Sequence, residues 1–113
     1  MNGLESERNL LAKKSNNLDG IIAIPGDKSI SHRAIMISML AEGKTKIYNF
    51  LEAEDTLITI NVARQLGIEI NQSSNFFEVK GKGLNGIKQP NKDLYFGNSG
   101  TSMRLFMGIL STQ

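Results

Sequence analysis

The sequence predicts an α/β fold in which short strands alternate with amphipathic helices. Three observations carry this. A short apolar run, Ile21-Ile22-Ala23-Ile24, is stopped by Pro25-Gly26; two apolar stripes at helical spacing are each closed by a glycine; and a glycine turn opens a helix at Gly26 and again at Gly97.

Taken in order, Leu18 to Ile24 reads as a buried strand ending in the Pro25-Gly26 turn. Ser29 is then a natural N-cap for a helix whose apolar side holds Ile30, Ala34, Ile37, Leu40 and Ala41, with Gly43 just past its end. Lys44 to Phe50 alternates as a strand does. Asp55 opens a second helix that buries Ile58, Val62, Ala63 and Leu66 and closes at Gly67. A hairpin follows: Ile68 to Ile70, a turn over Asn71 to Asn75, then Phe76 to Val79. Gly81, Gly83, Gly86 and Pro90 mark a loop. Leu94 to Phe96 reads as a short strand, and Gly97-Asn98-Ser99-Gly100 turns into a third helix from Thr101 to about Leu110. The order is β-α-β-α-β-β, then β-α. A closing β-α pair lacks the strand that should follow it, so residues 18–113 are expected to be an incomplete domain behind a polar extension, Met1 to Asn17.

Composition bounds the function. Hydrophobic residues make up 40% and charged residues 21%, the balance of a globular domain. A net charge of +2 predicts no nucleic-acid or membrane partner, so any anion recognition is local. Cysteine is absent, which excludes disulfides, thiolate metal sites and cysteine nucleophiles. No apolar run approaches the roughly 18 residues of a membrane span, and the extension lacks a signal peptide's apolar core, so a cytoplasmic protein is expected.

Two loops look alike. Gly26-Asp27-Lys28-Ser29-Ile30-Ser31-His32-Arg33 and Gly97-Asn98-Ser99-Gly100-Thr101-Ser102-Met103-Arg104 both have Gly first, Ser sixth and Arg eighth, and start 71 positions apart. That spacing matches the length of the unit between them and suggests a fold built from repeats. A helix start offers unpaired N–H groups and a partial positive charge to an anion. Lys28 adds a mobile cation, Arg33 a bidentate fork, and Ser29 a hydroxyl. Each has a bland reading too: Ser29 as a plain cap, Lys28 and Arg33 as solvated charges, Asn98 and Gly100 as turn residues. Asp27 is read as a turn residue and the single histidine, His32, as a partly exposed helix residue; no metal site is expected. Met36, Met39, Met103 and Met107 are read as core filling. A Walker-type nucleotide loop is excluded, because Ile22 and Asp27 stand where that motif needs glycine.

The stretch Ile24 to Arg33 with Leu40-Ala41-Glu42-Gly43, and the stretch Gly97 to Leu105, resemble the two opening signatures of the 5-enolpyruvylshikimate-3-phosphate synthase family. The resemblance covers about Asp19 to Leu110. It implies the first β-α-β-α-β-β unit of an enolpyruvyl transferase domain plus the start of the second, in a two-domain enzyme with three such units per domain. The implied reaction moves the carboxyvinyl group of phosphoenolpyruvate to shikimate 3-phosphate, on the route to chorismate and aromatic amino acids, without metal or organic cofactor. It implies Lys28, Ser29 and Arg33 as shikimate 3-phosphate ligands, and Lys28 and Gly100 as contacts to phosphoenolpyruvate. Asn98 and Thr101 would shape the second loop, and Arg104 would orient it through an acidic partner such as Asp55. No proton-transfer residue matches a position in this chain, so the 113 residues alone are expected to be inactive, and the full-length parent to be a monomer. The alternatives are a non-catalytic anion-binding or truncated fragment, and a relative of the UDP-N-acetylglucosamine enolpyruvyl transferases, whose opening motif lacks the Pro25 to Arg33 string.

Overall fold

The alternation Phe77, Glu78, Val79, Lys80 gives one strand an apolar and a charged face, and the domain is assembled on that strand. The computed structural model describes residues 9–113. Its elements are helix α1 (Lys28–Leu40), strand β1 (Glu42–Tyr48), helix α2 (Glu54–Gln65), strands β2 (Glu69–Gln72) and β3 (Phe76–Lys82), and helix α3 (Gly100–Leu110). The sheet has the order β1-β3-β2, with both pairings antiparallel. Ile47 lies opposite Phe77, while Thr45 and Ile70 flank Val79 from the two sides. This register puts the apolar side chains on one face, as the two-residue period requires.

α1 packs on that face and against α2, and α3 packs on α2. The core joins Ile35, Met36 and Met39 of α1 to Ile60, Val62 and Ala63 of α2, Phe77 and Val79 of β3, and Phe106 of α3.

The α/β class is as expected, and the hairpin and the buried face of α2 are where periodicity put them. Several elements differ. The run Leu18 to Ile24 forms no strand, and Ile21 is 104% exposed. A strand must hand its N–H and C=O groups to a neighbour, and none of the described strands pairs with this run. Leu94 to Phe96 likewise joins no ladder, although Leu94 and Phe96 pack partly against the core. β1 starts two residues before Lys44 and ends at Tyr48, and the first hairpin strand is Glu69–Gln72 rather than Ile68 to Ile70.

α1 is rotated from the expected face. It buries Ser31, His32, Ile35, Met36, Ser38 and Met39, whereas Ile30 and Ile37 are 60% and 67% exposed. Apolar residues lie on both sides of this helix, so periodicity alone could not choose the inner one. Met103 and Met107 are also exposed, because α3 turns only Ser102 and Phe106 fully inward. Of the expected extension, residues 1–8 lie outside the described residues; residues 9–17 are exposed and join no helix or strand.

The rotation of α1 has a direct check in urea unfolding. Ile35→Ala removes a fully buried side chain and is expected to cost about 2–5 kcal/mol. Ile37→Ala should stay within about 0.5 kcal/mol of the parent. The reverse ranking would place the buried face where the sequence pattern put it.

Candidate anion-binding site

The first loop is fixed by close packing. A Cβ on Gly26 would stand 1.9 Å from the carbonyl oxygen of Asn49, so only glycine lets the loop lie against the segment that follows β1. The Ser31 hydroxyl completes the attachment: it donates to the Asp27 carbonyl at 2.7 Å and accepts from the Leu51 N–H at 3.0 Å. The cap of α1 is Asp27, not Ser29. Its Oδ1 accepts from the Ile30 N–H at 2.8 Å, and a carboxylate there also suits the helix dipole. Ser29, released from capping, is exposed on the first turn beside Lys28.

The second loop ends in an analogous way, offset by one residue. Ser99 caps α3 and accepts from the Ser102 N–H at 3.4 Å, so Gly100 is the first helical residue. The sixth-position serines of both loops, Ser31 and Ser102, are buried and hydrogen-bonded.

A polar chain joins the two helix starts through the core. His32 Nδ1 lies 2.6 Å from Thr59 Oγ1 and 3.3 Å from Ser102 Oγ. Thr59 Oγ1 also contacts Ser102 Oγ, and Ser99 Oγ lies 2.8 Å from Ser102 Oγ. His32 and Thr59 are fully buried, so the expectation of a partly exposed histidine is corrected. Its polarity is tolerated inside because Thr59 and Ser102 surround one nitrogen. On the other side of the ring, Nε2 is 3.6 Å from Asp55 Oδ2, and that same oxygen is 3.2 Å from Lys28 Nζ.

Burial is the main influence on His32, and it pushes the ring below the usual 6.5, outweighing the opposite pull of Asp55. Partial burial pushes Asp55 up, but the hydrogen bond and charge of Lys28, with His32, hold it below the ordinary carboxylate value. Asp55 is therefore a carboxylate near neutrality and His32 an uncharged imidazole. The Lys28 side chain is 55% exposed, so its ion pair is worth no more than about 1 kcal/mol and is readily exchanged for another anion.

The starts of the two helices are thus joined through His32, Thr59 and Ser102. Lys28, Ser29 and Arg33 project from the first turns of α1, and Asn98, Gly100, Thr101 and Arg104 surround the start of α3. Arg104 does not reach Asp55, which is engaged by Lys28 and His32; its guanidinium instead lies over Gly100, 3.5 Å from where a Cβ would be. A cleft of about 310 Å³ opens between Asn98 and the start of α2, with Glu54 and Asp55 on its wall. Those carboxylates disfavour anions there. The groups suited to an anion are the exposed cations and the start of α3, since the Asp27 carboxylate already caps the start of α1. Sequence reading marked Ser102 as a shared motif position and Ser99 as part of a turn, gave neither a partner, and did not single out Thr59. The signal was present in Thr56 and Thr59, two hydroxyls on the same stripe as Ala63 and Leu66.

The family model described as EPSP synthase (3-phosphoshikimate 1-carboxyvinyltransferase) matches residues 12–113. The 3-phosphoshikimate 1-carboxyvinyltransferase of Bacillus cytotoxicus is 54% identical over 99 residues, covering 88% of this chain and 23% of the relative. That of Streptococcus mutans is 50% identical over 103 residues, covering 91% and 24%. In structure, the chain resembles EPSP synthase from Acinetobacter baumannii, with a TM-score of 0.77 and 47% identity over 81% of this chain and 21% of that one. The chain therefore spans about a quarter of the length of the curated relatives it matches.

The buried imidazole has a pH signature. Its folded-state value is depressed, so below about 6.5 the unfolded chain binds a proton that the folded one refuses. Stability should accordingly fall as pH drops below that value, with a slope approaching about 1.4 kcal/mol per pH unit from this group. His32→Asn keeps an acceptor toward Thr59 and cannot titrate, so urea unfolding across pH should show a shallower fall in that variant. Parallel curves would assign the acid sensitivity to other groups.

Proposed function

The chain belongs to the EPSP synthase family, and from that premise we propose that it is the amino-terminal quarter of an enzyme that transfers the carboxyvinyl group of phosphoenolpyruvate to shikimate 3-phosphate, releasing phosphate. The observation that carries this reading is the locking of two helix starts side by side, with Lys28, Ser29 and Arg33 exposed beside them. Both substrates carry a phosphate and a carboxylate. Helix starts, a lysine and an arginine are the groups that bind such oxyanions well.

In this reading Ser29 and Arg33, four residues apart on one face of α1, hold shikimate 3-phosphate. Lys28, on the side nearer α2, serves both substrates. Its counter-ion Asp55 keeps the ammonium extended toward α2 until a phosphate competes for it. Gly100 marks the approach of phosphoenolpyruvate. Its glycine is required neither by a positive φ nor by crowding, since the nearest atom to an added Cβ is the movable Arg104 guanidinium at 3.5 Å. Asn98 and Thr101 shape that loop around it. The expected setting is a cytoplasmic monomer that uses neither metal nor organic cofactor.

The chemistry also needs a proton delivered to the alkene carbon and one taken from the attacking hydroxyl. Asp55 is committed to Lys28 and His32, and His32 is sealed in the core. Those proton transfers belong to the remainder of the enzyme, and the 113 residues act as half of the binding site.

Two variants test the assignment in the full-length protein that carries this chain. Lys28→Ala removes a charged hydrogen-bond donor, so its affinity for shikimate 3-phosphate by calorimetric titration should fall about 10- to 100-fold. Unchanged affinity would remove Lys28 from the site. Gly100→Ala should leave the urea midpoint within about 0.5 kcal/mol of the parent. It should nevertheless raise KM for phosphoenolpyruvate at least about tenfold, the loss of roughly one charge-assisted contact. A large loss of stability with an unaltered KM would make this glycine structural.

A further inference from the structure

The hydroxyl chain has a direction that proton counting reveals. Ser99 Oγ accepts the Ser102 N–H at 3.4 Å and lies 2.8 Å from Ser102 Oγ. If Ser99 donates to Ser102, then Ser102 donates to Thr59 and Thr59 donates to His32 Nδ1 at 2.6 Å. Every hydroxyl proton then has an acceptor. Run the other way, Nδ1–H would donate to Thr59, and the chain would end with Ser99 accepting twice. The Ser99 proton would then be stranded on a residue only 2% exposed.

The far side of the ring agrees. Nε2 is buried and has no hydrogen-bond partner among the described residues, and Asp55 Oδ2 at 3.6 Å is the carboxylate it faces. A bare lone pair on Nε2 would repel that oxygen, whereas an N–H attracts it. We propose that His32, held as the Nε2–H tautomer by the Ser99–Ser102–Thr59 chain, is a positioning residue that fixes the Asp55 carboxylate and, through it, the Lys28 ammonium. The start of α3 thereby sets where the cation of α1 stands, so the two substrate loops are registered through the core. The 3.6 Å gap leaves Nε2–H free to close on Asp55 when a phosphate draws Lys28 away, which would keep the carboxylate from following its cation. Burial of the ring favours the uncharged form on which this tautomer depends.

The proposal rests on the reading of Lys28 as a shikimate 3-phosphate ligand, and its test separates the two. In the full-length protein labelled with ¹⁵N-histidine, the His32 signals are those lost in His32→Asn. Long-range ¹H–¹⁵N spectra at neutral pH should show the proton on Nε2; a proton on Nδ1 overturns the proposal whatever the binding data say. Titration of shikimate 3-phosphate should then show about tenfold weaker binding in Thr59→Val, which keeps the shape and removes the hydroxyl, and recovery in Thr59→Ser. Ser102→Ala serves as the second break in the chain should Thr59→Val fail to fold. Combined with Lys28→Ala, the Thr59→Val loss should vanish, because it acts through that lysine. Additive losses would mean that Thr59 only supports the fold. If Lys28→Ala weakens binding and neither hydroxyl variant does, the coupling is wrong and the ligand assignment stands. If Lys28→Ala itself has no effect, both fall.

Discussion

The His32 ring sits where three helices meet: α1 supplies it, Thr59 of α2 holds one of its nitrogens, and Ser102 of α3 comes within 3.3 Å. Each buried hydroxyl in this group has a partner, which matters because an orphaned one costs about 1–3 kcal/mol while a satisfied one contributes only about 1. The cluster is therefore worth less as a source of stability than as a constraint. Any slip of α3 along α2, or of α1 against either, would strand several polar atoms at once. Apolar contacts in the core, such as Phe106 with Phe96, would tolerate a slip far better. The relative placement of the two loops depends on this polar junction.

Helix geometry divides the labour within α1. Lys28 and His32 are four residues apart and so share a face, the one toward Asp55 at the start of α2. Ser29 and Arg33 share the neighbouring face, which is exposed. One face anchors and the adjacent one presents. A single turn of helix therefore holds a sealed histidine and an accessible cation without a loop between them. The exposed Lys28, Ser29 and Arg33 thus start from helical backbone rather than from a loop.

How much of this was legible in the sequence follows from what kind of information each part needs. The glycine turns, the hairpin and the apolar stripe of α2 are local, and they were readable. So were Lys28, Ser29 and Arg33 as candidates, because a glycine turn followed by a helix carries its own chemistry. The strand expected at Ile21 to Ile24 was not decidable in this way. Apolarity shows that a segment needs a partner and says nothing of whether one is supplied, and here the described strands leave it exposed. The facing of α1 failed for a different reason: Ile30 and Ile37 are as apolar as Ile35 and Met36, and the choice was made by Ser31 and His32, polar residues that the pattern places outside. Only long-range partners, Leu51 for one and Thr59 for the other, make them better inside.

The two loops, alike in sequence, are not interchangeable in chemistry. At Gly26 the glycine is forced by the Asn49 carbonyl, and the helix that follows carries a lysine with a dedicated counter-ion. At Gly100 the backbone is open, no lysine is present, and the nearest side chain is a guanidinium that can move. The first loop therefore supplies charge on a fixed frame. The second is also fixed at its first glycine, Gly97, by a positive φ of 49° and by Ile58, and is open at Gly100. The same motif with its cap moved by one residue and its lysine removed yields two unlike helix starts, joined through the contacts of His32 with Thr59 and Ser102. A cation at one helix start and open backbone at the other offer an anion two different kinds of contact.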